Sequence, residues 1–351
     1  MDNSKRLPNS FLTNPSLSQV RGRKIVRSLV GSLLGAFCLV LALRHVRIGQ
    51  LEQALGSIHF AWVYVALCTF ALEYSARIER WKRMLRHENS AIRWRDCACP
   101  LLAGYATNNV LPFRVGDILR TFAFNHFLGA TPGVVVATLI LERILDVLVL
   151  SSLVYCVSTV LGSADPHFRA IESSLLIAIF VSGIAILFFP RLLGPIFALL
   201  SQVLRSFAPK LAERALPEFR KSIDTFTAIV RRQELITLLA LTAAGWLCEG
   251  SIFWFSAKAL PSLSFPNASW VAFPMGVIAT LIPSSPGSLG TFEFFVMLAM
   301  TTRGNSASAA AAYAFLVHLL ISLPPIITGG LCLLFGAARY VRPGKTQGTN
   351  G

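Results

Sequence analysis

The sequence predicts an all-α, polytopic transmembrane helical bundle with two opposed re-entrant, broken helical hairpins arranged as an inverted repeat. Composition is the first ground. The 351-residue chain is 54% hydrophobic and 14% charged, where soluble domains carry about 25% charged residues. The second ground is run length. Several apolar runs are long enough to cross a bilayer, and others, of roughly 10–15 residues, fall short of the about 20 that crossing needs. The third is a pair of polar, Pro/Gly-broken loops between the short runs, half a chain apart. One runs from Asn108 to Arg120 and the other from Pro283 to Glu293. Unwound backbone at membrane depth survives only where protein buries it or water reaches it. Two such breaks in corresponding positions point to a binding site near the midplane.

The elements follow in order. Residues 1–25 form a polar, basic arm without a small-residue cleavage site, so a cytoplasmic tail is expected rather than a signal peptide. Apolar runs cover Val26–Leu43 and Ile58–Ala76, and a basic loop, Arg77 to Arg83, follows. A short run, Cys97–Val110, ends at the first polar loop, and Ile118–Leu128 leads away from it. Val134–Leu161 spans with tilt and Ser173–Phe189 returns. Residues 191–234 are mixed, with Phe219, Ile223, Phe226 and Val230 at helical spacing. They read equally as an amphipathic helix on the cytoplasmic membrane face or as a solvated linker helix.

The second half repeats the plan. Leu235–Ala257 spans, Ala268–Ile282 ends at the second polar loop, and Phe292–Thr302 leads away. Ser306–Ala338 is one kinked crossing or two segments around Pro324-Pro325, and Ala309–Ala312 lets helix backbones approach. The membrane domain is thus 26–338, with halves 26–190 and 235–338 and a polar cytoplasmic tail at 339–351.

The formal charge of +15 fits topology better than nucleic-acid binding. The excess Lys/Arg lies in the N-terminal arm, Arg77–Arg95, Arg191–Arg232 and the tail, which the positive-inside rule places in the cytoplasm. Both termini are then cytoplasmic, in the inner (plasma) membrane. The first hairpin enters from the cytoplasm and the second from outside. The basic balance also suits anionic headgroups. Five of the seven cysteines lie in apolar segments, and Cys97 and Cys99 lack zinc-site spacing, so no metal or cofactor is expected.

Charged residues inside membrane segments are functional by default. Glu142 and Asp146 sit at i and i+4 and share a helix face, with Arg143 beside them. They read equally as an interhelical ion-pair lock and as a substrate contact. Arg114 and Arg120 flank Asp117, and a guanidinium fork suits phosphate. The alternative is an arginine paired with Asp117 that shapes the turn. Glu293 either caps a helix start or holds a cation, a proton or an amine headgroup. Asn108 and Asn109 supply amides to freed backbone or to a ligand. Pro112, Gly116, Pro283, Pro286, Gly287 and Gly290 break the helices and do no chemistry. Glu73 and Glu249 are candidates to face a polar cavity, with Glu73 expected rather to snorkel or to pair with Arg77, and His318 reads as a packed, satisfied histidine.

Three motifs occur in order. Asn108/Asn109 to Arg120 fits Asn-x-Leu-Pro-x-Arg-x-Gly-acid-x-x-Arg. Glu142 to Asp146 fits Glu-Arg-x-x-Asp, and Pro283 to Glu293 fits Pro-x-x-Pro-Gly-small-x-Gly-x-x-Glu. Together they resemble the membrane region of the lysylphosphatidylglycerol synthase family, also called flippase-like or UPF0104 membrane proteins. The resemblance covers about residues 26–338. It implies movement of a phospholipid or polyprenol-linked lipid between leaflets, without the soluble transferase domains that some members carry. A lipid-synthesis enzyme is the implied protein partner. No P-loop occurs, so direct ATP drive is not expected. The alternative is a membrane-embedded lipid-modifying transferase, or its membrane subunit, with Glu142, Asp146 or Glu293 as base.

Overall fold

The computed structural model describes residues 32–111, 114–161, 166–189, 209–230, 234–282 and 284–340, with three single residues between 199 and 206. Their regular structure is helical throughout. Helix α1 (Ser32–Leu43) meets the short α2 (Ile48–Gly56) at an 88° bend. Arg47 and Gln50, at the start of α2, bond the Ser308 hydroxyl at 3.2 and 3.1 Å. Helix α2 is thereby tied to the start of the last helix.

Helix α3 runs Phe60–Leu85. This corrects the expected boundary at Ala76. Nothing between Phe60 and Leu85 is Gly or Pro, so no residue stops the helix where its composition turns polar. Arg77 to Arg83 is therefore helix, not loop, and Arg77 and Arg80 are buried. Two of the cations used to place this region in the cytoplasm lie inside the protein.

Helix α4 (Trp94–Val110) starts with a capping box in which Asp96 accepts the Arg93 amide at 3.0 Å. It ends at the first polar loop, here loop 1. Helices α5 (Val115–Phe122) and α6 (Asn125–Leu128) follow. Helix α7 is Pro132–Leu161 and α8 is Pro166–Phe188. At 1.5 Å per residue α3 and α7 are about 39 and 45 Å long, longer than the hydrocarbon core of about 30 Å.

Helix α9 (Pro209–Val230) carries the predicted amphipathic stripe. Of the stripe, Phe226 is buried and Phe219, Ile223 and Val230 are half-buried. Phe226 and Ile229 are buried with Leu141 and Leu145 of α7. Glu218 accepts the Gly133 amide at 2.6 Å, and Ser222 donates to the Gly133 carbonyl at 2.7 Å. Glu218 thus satisfies a donor in the first turn of α7 that has no partner within the helix.

Helix α10 (Leu235–Lys258) packs along α3. Helices α11 (Ser269–Leu281) and α12 (Thr291–Thr301) flank the second polar loop, loop 2. Helix α13 is a single helix, Ala307–Tyr340, that continues through Pro324-Pro325. Ala309–Ala312 are all buried. Helix α13 lies along α4 so closely that a Cβ on Gly329 would sit 2.1 Å from the Leu102 carbonyl oxygen.

Among the described residues, three stretches meet the length and composition of a membrane span: Ala170–Phe188, Leu235–Lys258 and Ala307–Phe335. The bent α1–α2 pair makes a fourth if it counts as one. The helices beside the loops are short, as the sequence indicates. Helices α4 and α11 have 17 and 13 residues. The core has two parts. One is centred on Trp81, Phe253, Phe292 and Tyr313, and the other joins α7 to α9.

Candidate functional site

Loop 1 is built around one glycine. Gly116 lies so close to α4 that a Cβ there would be 1.9 Å from the Gly104 carbonyl oxygen. Asn108 fixes the turn. Its Oδ1 accepts the Gly116 amide at 2.7 Å, and its Nδ2 donates to Asp117 at 3.1 Å. Arg114 adopts the left-handed conformation, φ 52°, and its side chain is exposed. Pro112 lies outside the described residues.

The Arg120 side chain crosses α4 over Gly104, where the missing Cβ leaves room. Its guanidinium lies 4.3 Å from the Trp81 ring centroid and donates to Glu142 Oε2 at 3.1 Å. Arg120 therefore pairs with α7, not with Asp117.

Glu142 is the hub of a buried ion network. It meets Arg80 at 3.2 Å, Arg120 at 3.1 Å and Arg143 at 3.4 Å. The Tyr105 hydroxyl also donates to it, at 3.1 Å. Arg80 bridges the i, i+4 pair, because its other nitrogen meets Asp146 at 2.7 Å and Thr242 at 2.9 Å. Trp246 donates to the same Asp146 oxygen at 3.3 Å. Arg77 joins Glu73 and Glu249, each at 2.7 Å, and reaches Tyr105 at 3.3 Å. Glu73 thus pairs with Arg77 as expected. Arg77, Arg80, Arg120 and Arg143 face Glu73, Glu142, Asp146 and Glu249, so the formal charges of the network balance. The balance matters because an unpaired charge in such a place costs about 3–5 kcal/mol.

One member is different. Arg143 is 41% exposed, against 1% for Arg120. Its contacts are the longest in the network, 3.4 Å to Glu142 and 3.6 Å to Asp146. Asp146 Oδ2, which faces it, has no hydrogen-bond partner. Asp117 of loop 1 lies within electrostatic reach of Arg143.

Loop 2 is held in two left-handed steps, Gly287 (φ 65°) with Ser288 (φ 57°) and then Gly290 (φ 89°). A Cβ on Gly290 would lie 1.9 Å from the Gly35 carbonyl oxygen of α1. Glu293 Oε2 accepts the Gly290 amide at 2.6 Å, which is the cap the sequence allowed. Its other oxygen meets His318 Nδ1 at 2.5 Å, and His318 Nε2 meets the Gly287 carbonyl at 3.0 Å. The two loops touch: the Cβ position of Gly287 is 3.2 Å from the Asn109 carbonyl oxygen. Pro283 lies outside the described residues; Pro286 opens a 3₁₀ turn.

The sequence reading missed the side chains that complete the network around the α7 acids. Arg80, Tyr105, Thr242 and Trp246 were not among the candidates. A signal for Arg80 was present, because Glu73, Arg77 and Arg80 fall at i, i+4 and i+7 on one helix face. Thr242 and Trp246 had none, since Thr242 meets Arg80 and Trp246 meets Asp146 only through the fold.

Comparison with known proteins identifies the family. The chain is 24% identical over 236 residues to a UPF0104 membrane protein of Methanocaldococcus jannaschii, covering 67% of this chain and 95% of the relative. A family model described as the lysylphosphatidylglycerol synthase TM region matches residues 28–329. A match over most of the chain, containing both loops and the ion network, places this multi-pass membrane protein in the lysylphosphatidylglycerol synthase TM-region family.

Proposed function

We propose that the protein moves an anionic, phosphate-bearing lipid between leaflets, downhill or coupled to an ion, and that Arg143 and Arg114 contact the headgroup. The carrying observation is the state of Arg143, a guanidinium inside a long helix that remains 41% exposed and loosely held. A lipid phosphate can complete its donors bidentately. The buried acids and arginines behind it then act as a preorganised frame. Apolar surface for acyl chains lies alongside, where Ile118 and Phe122 of α5 are exposed. In this reading the hairpins enter from opposite faces, and their loops meet at Asn109 and Gly287. The transferase alternative is weaker, because Glu142 and Asp146 are committed to guanidinium groups and make poor bases.

The test is reconstitution into liposomes with labelled lipids and a leaflet-accessibility assay. Arg143→Lys keeps the charge but loses the fork. It should weaken binding of a phosphate-headgroup lipid by about 1–3 kcal/mol and leave a matched diacylglycerol unaffected. Equal loss for both lipids would remove the phosphate assignment.

A further inference from the structure

The pair His318–Glu293 has more acceptors than donors unless it carries an extra proton. His318 Nε2 faces the Gly287 carbonyl at 3.0 Å, and a carbonyl only accepts. Nε2 must therefore bear hydrogen. His318 Nδ1 faces Glu293 Oε1 at 2.5 Å, so one hydrogen must lie between them as well. Glu293 Oε2 already accepts the Gly290 amide at 2.6 Å. Two hydrogens are required where a neutral imidazole supplies one. The second sits either on Nδ1, giving imidazolium and carboxylate, or on Oε1, giving neutral imidazole and carboxylic acid. Both forms have the same proton count and the same net charge of zero.

We infer that His318 and Glu293 form a binding site for one exchangeable proton that locks loop 2. Binding that proton joins Gly287, Gly290 and α13 through one ring. Releasing it to solvent leaves a net negative charge on a buried pair. The remaining hydrogen stays on Nδ1, beside the carboxylate, and bare Nε2 then opposes the Gly287 oxygen. Two lone pairs at that distance repel, so the Gly287 end of loop 2 comes free. That end touches Asn109 of loop 1. The proton site stands on its own geometry; its use as the coupling ion rests on the lipid movement proposed above.

The surroundings isolate the pair. Helix α11, loop 2, α12 and α13 as far as Phe335 contain no other Asp, Glu, Lys, Arg or His, and neither does α1. Helix α4 presents its Asn108–Asn109 end; Arg95 and Asp96 lie at its opposite end. The α4 phenol Tyr105 belongs to the ion network, with Glu73, Arg77 and Arg80 of α3 and Glu249 of α10. Lys258, at the end of α10, stands over Trp254. Glu52 of α2 lies at the Ser308 end of α13, and Arg303 follows α12.

Glu293→Gln is the informative variant. Its amide oxygen can accept from Gly290, and its NH₂ can donate to Nδ1. It imitates the protonated pair and cannot release the proton. The experiment is hydrogen–deuterium exchange of the full-length protein in lipid nanodiscs, read on the peptide spanning loop 2 from about pH 5 to 9 and corrected for intrinsic exchange. Wild-type protection should fall about tenfold to a hundredfold as pH rises, the loss of one hydrogen bond to a charged group. Glu293→Gln should stay protected across the range. A second measurement, ¹⁵N-histidine magnetic resonance at neutral pH, should show hydrogen on Nε2 of His318. Constant wild-type protection, an equal response in Glu293→Gln, or a bare Nε2 at neutral pH overturns the proposal. None of these readouts requires lipid movement. An inactive liposome assay with intact pH-dependent exchange would count against the transport reading alone.

Discussion

Glu142→Gln removes the hub of the ion network while keeping its shape. Glu142 is the partner of Arg80 at 3.2 Å, Arg120 at 3.1 Å and Arg143 at 3.4 Å. Arg80 retains Asp146 at 2.7 Å, and Arg143 retains Asp146 at 3.6 Å and partial exposure. Arg120, at 1% exposure, retains the Trp81 ring and a neutral amide in place of its counter-charge. A network of balanced formal charges becomes a buried net positive charge. Leaving one buried partner uncompensated costs about 3–5 kcal/mol. The Trp81 contact is present before and after the change and does not enter the difference, so the expected loss is about 3–5 kcal/mol. Arg120→Met in the same background restores the balance, so the double variant should be more stable than Glu142→Gln alone. The assay is thermal unfolding of the purified full-length protein in detergent, with all four members of the cycle measured side by side. A Glu142→Gln protein with the wild-type midpoint would show that the network is not charge-balanced in the way drawn here. A strictly additive cycle would show that Arg120 and Glu142 do not interact.

Gly116→Ala should separate α5 from α4, because its Cβ would lie 1.9 Å from the Gly104 oxygen. Overpacking of this kind costs about 1–3 kcal/mol, read as a lower unfolding midpoint, while Gly49→Ala, with nothing within 4 Å, should change little. Glu218→Ala removes the cap on the Gly133 amide and should weaken docking of α9 by about 1 kcal/mol. Faster limited proteolysis within 209–230 would report it, and an unchanged cleavage rate would mean that the apolar stripe alone holds α9 in place.

The two helix breaks were legible because their causes are local. Gly116, Gly287 and Gly290 stand where backbone passes backbone or where φ is positive, and Asn108 lies within eight residues of the amide it accepts. The i, i+4 relation of Glu142 and Asp146 was legible for the same reason. The boundary of α3 was misplaced because charge was taken as a sign of solvent. A run of arginines reads as a loop until the acids that neutralise it are known. Those acids are 66 and 172 residues away for the pairs Arg80–Asp146 and Arg77–Glu249.

By itself the sequence determined a helical membrane protein, its two broken segments and the residues able to break them. These follow from hydropathy and backbone stereochemistry, which act over a few residues. Beyond the local Glu73–Arg77 pair, the tertiary structure decided which charge meets which. It placed Arg120 on Glu142 rather than Asp117, left Arg143 partly open, and closed His318 onto Glu293 and Gly287. Pairing of charges depends on distances between helices that are remote in the chain. In a low-dielectric interior those distances set the energy, and local sequence does not contain them.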